Sequence, residues 1–206
     1  MVLAPAEIDG LNLICNEARL LSVTLDQDSA SARISLQPVR AGDNDDQPVV
    51  IQLLSVGRVV SSLRRGRWND KRAQVVPLTL PELTQLLQSC GQTIYGEVWD
   101  EPIKKHGHWL KRISFEWRGS GEAGLLHRLH LFHNPDNNHL DLLIWFDDLR
   151  ILDDAGAELP LTDLAAEVDA WWYGMRSGAV PAGDHGIYLL APGQFRPLWK
   201  RWLRLH

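Results

Sequence analysis

Residues Leu126–Leu149 read LHRLHLFHNPDNNHLDLLIWFDDL. Apolar and polar residues alternate on both sides of the Asn134–Asn138 turn residues, which predicts two strands, Leu126–His133 and Leu140–Leu149. Two earlier stretches, Ile94–Trp99 and Leu110–Trp117, carry the same period. They are separated by turn chemistry at Lys104–His108 and Gly119–Gly124, and an antiparallel meander is the simplest way to join all four. A turn at Asp153-Asp154-Ala155-Gly156 then leads to a helix of roughly 14 residues from Thr162, with Leu164, Val168, Trp171, Trp172 and Met175 as its apolar stripe.

Working toward the N-terminus, Arg19–Leu25 and Ala32–Leu36 flank Asp26-Gln27-Asp28-Ser29 and predict a hairpin. After the acidic loop Asp43–Asp46, the run Val49–Val60 is too rich in β-branched residues for a helix, and Gly57 should bend it. Thr79 and Glu82 have capping-box spacing and predict a helix with Leu80, Leu83, Leu86 and Leu87 on one side, stopped at Gly91. Both helices follow a Pro-Leu-Thr, at Pro77 and Pro160, but no wider repeat supports a duplication. The fold class expected is α+β: largely antiparallel sheets of about seven strands, two main helices and a short C-terminal helix. A single domain over 1–206 is expected, with at most a weak two-part organisation into 1–91 and 92–206.

Composition sets limits on function. The chain has 206 residues, 45% hydrophobic and 23% charged, as in ordinary folded proteins. Nine Trp outnumber four Phe and three Tyr together, so indole supplies most of the aromatic bulk. A net charge of −5 argues against a nucleic-acid-binding protein, which needs a basic field. Arg58, Arg64, Arg65, Arg67, Lys71 and Arg72, with Trp68 among them, form the main basic segment, read here as a solvated loop rather than a single-strand site. The N-terminus has no secretory pattern, no run approaches the ~20 apolar residues of a membrane span, and Cys15 and Cys90 form no CxxC. A cytoplasmic location with reduced thiols is the expectation. Near the C-terminus, Trp199, Trp202, Leu203 and His206 share one side of a basic amphipathic turn that should pack on its own domain.

Strand alternation sorts the second sheet into two faces. Ile94, Val98, Ile113, Phe115, Trp117, Leu129, Leu131, Leu142, Ile144 and Phe146 should face the core. The opposite face carries Tyr95, Glu97, Trp99, Arg112, Ser114, Glu116, Arg128, His130, Asp141, Trp145 and Asp147. Rings interleaved with carboxylates, guanidiniums and an imidazole supply desolvated area and direction together, which suits a polar ligand or a protein partner. Cross-strand ion pairs on a solvent face would use the same residues.

The leading expectation is therefore a non-enzymatic binding module using that face, with a homo-oligomer among the partners it allows. The alternative is a hydrolase acting on glycosides or esters through the carboxylates of the face, or through a metal held by His133, Asp136 and His139 around the turn. No cofactor is expected. The Gly119–Gly124 segment carries no Lys and opens no helix, so it is a turn rather than a phosphate cradle, and Ser120 lies in no nucleophile elbow.

Overall fold

The computed structural model describes residues 2–16, 18–40, 47–66, 72–88, 95–99, 112–119, 123–133 and 138–177. Helix α1 (Pro5–Cys15) is followed by the hairpin β1 (Arg19–Asp26) and β2 (Ser31–Gln37), then β3 (Val49–Leu54), β4 (Arg58–Arg65), β5 (Gln74–Val75) and α2 (Leu80–Gln88). The second half holds β6 (Tyr95–Trp99), β7 (Phe115–Arg118), β8 (His127–His133), β9 (Asn138–Phe146), β10 (Asp148–Leu152) and α3 (Leu161–Ser177). The α+β class with antiparallel pairing is as the sequence predicts. The expected C-terminal helix, the Gly91 stop and Asp136 lie outside the described residues.

Four strands form one sheet in the order β1-β2-β3-β10, and six form the other, β5-β4-β9-β8-β6 with β7 on the free side of β4. The ten strands among the described residues exceed the seven expected because two long runs each break in two and β5 is added. Val49–Val60 is not one bent strand. It leaves the four-stranded sheet after Leu54 and enters the six-stranded sheet at Arg58, turning through Ser55, at φ 50, and Gly57. Asn138–Leu152 crosses the other way at Asp147. The crossings lie side by side: the Gly57 N–H is donated to Trp145 O at 3.1 Å, and the Asp147 N–H to Leu54 O at 3.3 Å. Strands that switch sheets in this way make the corner of a two-sheet packing.

Between the sheets lies one connected core. Ile34 and Ile51 come from the four-stranded sheet, Ile144 and Phe146 from the six-stranded sheet, Leu11 and Ile14 from α1, and Val168 and Trp171 from α3. Helix α1 was not expected, though Pro5 in its first turn and the Glu7 carboxylate, which accepts the Ala4 N–H at 2.6 Å, are ordinary start signals. At α2 the capping box forms, with both the Thr79 N–H and its hydroxyl donated to Glu82 at 2.7 Å. Among the described residues no helix is long and apolar enough to cross a membrane.

The meander is corrected at one strand. β6 pairs with β8 and β8 with β9, but β7 leaves them and pairs with β4. The Gly119–Gly124 segment is thus a connection between strands that do not pair, not a hairpin turn. Ile113 moves as well: it packs with Val60, Leu143 and Trp145, on the side opposite the main core.

Candidate functional site

The six-stranded sheet turns its other side away from the main core, and pairing register lays that side out in rows. One row runs Arg118, Arg58, Trp145, Arg128 and Trp99, and the next Glu116, Val60, Leu143, His130 and Glu97. A third runs Ser62, Asp141, Phe132 and Tyr95, and a fourth pairs Arg64 with His139. Directly opposed residues of antiparallel strands share a face, so side chains from strands distant in sequence converge here.

At its centre, Asp141 is only 5% exposed and Arg64 is fully buried at 0%, and the guanidinium grips the carboxylate. On the same carboxylate His130 Nε2 lies 2.9 Å from Oδ1, and His139 Nε2 lies 3.3 Å from Oδ2. An ionised carboxylate can only accept, so the His130 contact places the proton on Nε2. Burial pushes the Asp141 carboxyl up, but the hydrogen bonds and charge of His130 and His139 outweigh it and hold the group well below the usual carboxylate range. Burial pushes the Arg64 guanidinium down and Asp141 opposes that, while nearby Arg112 adds a like charge.

The first row surrounds an indole with cations. The Arg58 and Arg128 guanidiniums lie 4.8 and 6.0 Å from the Trp145 ring centroid, within cation–π range. Glu116 accepts from Arg58 Nη2 and from Arg118 Nε, each at 2.7 Å. Burial raises its pKa, but the bond from Arg118 and the charge of Arg58 leave it below its ordinary value.

Of the residues singled out in the sequence, the structure joins His130 to Asp141 and Arg128 to Trp145, with Glu116 at the rim and Arg112 near Arg64. Tyr95, Glu97 and Trp99 hold register positions that continue the rows. Asp147 does not belong: it stands at the strand crossing, where its carboxylate accepts the Gly124 and Leu126 N–H groups at 2.7 and 3.1 Å. Ser114 is turned to β4, accepting the Leu63 N–H at 2.7 Å. His139 is committed to Asp141 and registers with Arg64, whereas His133 registers with Leu140, a core position. Among the described residues no group of three or more His, Cys, Asp or Glu is placed to hold a metal ion.

The basic segment also differs from expectation. Arg58, Arg64 and Arg65 are strand residues rather than a solvated loop, and Arg64 is the most deeply buried charge of the described chain. Sequence reading missed Arg64 and Ser62 as members of the face, since their place depends on pairing with β9. The available signal was Arg58, Ser62 and Arg64 sharing one parity, broken by Val60 in the series and blurred by Ser61 beside it. Comparison with protein-family models, with curated proteins and with solved structures finds no match to this chain.

Proposed function

We propose that the protein is a binding module whose charged, Trp-bearing sheet face takes a small polar ligand carrying an anionic group. The observation that carries this reading is the company Asp141 keeps. Arg58, Arg64, Arg112, Arg118 and Arg128 gather on or beside a face whose carboxylates are Asp141, Glu116 and, by register, Glu97. A guanidinium-rich, low-dielectric surface favours oxyanions, which guanidinium can meet in bidentate fashion.

Burial favours a small ligand over a flat protein contact. Arg128 and Trp145 are 4% and 5% exposed, too little to contribute area to a protein interface. The same geometry weighs against hydrolysis through these carboxylates, because a glycosidase acid needs a raised pKa and both Asp141 and Glu116 are held down.

Isothermal titration of the full chain with inorganic phosphate and with succinate, at matched ionic strength, tests the reading. Saturable heat is expected with at least one of them, weakened in Arg128→Gln and in Arg58→Gln. Absence of saturable heat with both probes, or binding unchanged in both variants, would remove the proposal.

A further inference from the structure

Ser61 and Ser62 sit next to each other in β4 and face opposite ways. Ser61 registers with Leu142 and Phe115 between the core residues Val59 and Leu63, whereas Ser62 registers with Asp141 and shares the polar face with Arg64. Both are closed off from solvent, at 0% and 2% exposure. Among the described residues neither hydroxyl has a hydrogen-bond partner. A buried hydroxyl left unpaired is costly, so each needs an explanation. Ser61 meets only apolar residues by register, Leu142 and Phe115, on the core side. Ser62 is different: it points into the group of charges around Asp141.

We infer that the Ser62 hydroxyl is a hydrogen-bond donor to the ligand's oxyanion, and so a specificity-determining contact of the anion site; this rests on the binding reading given above. The chemistry is complementary. Asp141, already held by Arg64, His130 and His139, has its negative charge compensated where Ser62 stands across from it. An oxyanion oxygen beside Ser62 would accept the O–H, with the Arg64 and Arg112 charges adjacent. Hydrogen bonds to charged groups are the stronger kind, and removing one from an enclosed site should weaken binding about tenfold or more.

The neighbouring serine provides the control. Inorganic phosphate is titrated calorimetrically into wild type, Ser62→Ala and Ser61→Ala, and the melting temperature of each protein is measured without phosphate. Ser62→Ala should bind about tenfold or more weakly while melting no lower than wild type, because it deletes a hydroxyl with no internal partner. Ser61→Ala should bind as wild type does. Wild-type affinity in Ser62→Ala, or an equal loss in Ser61→Ala, overturns the role of Ser62 and leaves the anion site standing. A wild type that takes up no phosphate overturns the role of Ser62, and the anion site falls with it only where succinate is not taken up either.

Discussion

Arg64 and Asp141 meet diagonally across β4 and β9: Arg64 registers with His139 and Asp141 with Ser62, yet the guanidinium reaches across to the carboxylate and both are enclosed. The pair spans 77 residues of chain, so Arg64 does not meet this counter-ion until the two strands are zipped together.

Breaking this pair should therefore cost more than replacing it. Asp141→Ala leaves a buried guanidinium without its counter-ion and should lose about 3–5 kcal/mol in urea unfolding. The double variant Arg64→Met/Asp141→Leu should recover most of that, since apolar residues of similar volume often match a buried ion pair. A double variant no more stable than Asp141→Ala would show that the contact does not carry the destabilisation.

Acid sensitivity follows from the same carboxylate. Its folded pKa is depressed, so its contribution to stability is complete above about pH 5 and is lost as pH falls through the range below the ordinary value near 4. Glu116 acts in the same direction. Melting temperature should fall on acidification below about pH 4, with a shallower slope in Asp141→Asn. Equal slopes in the two proteins would place the acid response elsewhere.

Cys15 should be chemically silent in the native state. It is fully buried, and burial pushes its thiol up to about 12, so at pH 8 there is neither access nor thiolate. In a Cys90→Ser background, labelling by a disulfide reagent should track the urea unfolding transition. Rapid labelling in native buffer would contradict the packing of α1 against the core.

Much of this was legible because alternation is a local property. The core side of Leu129, Leu131, Leu142, Ile144 and Phe146 and the polar side of Arg128, His130, Asp141 and Trp145 follow from parity along two strands. The Thr79–Glu82 cap was legible for the same reason. Parity fails where a strand ends: Asp147 lies one step past β9, at a bend, and its side chain answers to the 123–126 segment instead. The sheet switch at Ser55–Gly57, the partner of β7 and the burial of Arg64 depend on which strands meet. No window of sequence contains that choice.

The switch itself gives a matched pair of substitutions. Gly124 and Gly156 both have positive φ, 80 and 87, so alanine meets the same left-handed penalty of about 1–2 kcal/mol at each. Their surroundings differ. A Cβ on Gly124 would lie 2.2 Å from both Gly57 N and Ser55 O, whereas one on Gly156 meets nothing within 4 Å. Those atoms are backbone at the crossing, where the Gly57 N–H is also bonded to Trp145 O, so relief would have to move the strand that carries Trp145. Gly156→Ala should therefore show the conformational cost alone, and Gly124→Ala should lose several kcal/mol more in urea unfolding. Equal losses at the two positions would mean that the 123–126 segment does not press against the corner, and the support it gives Trp145 would go with it.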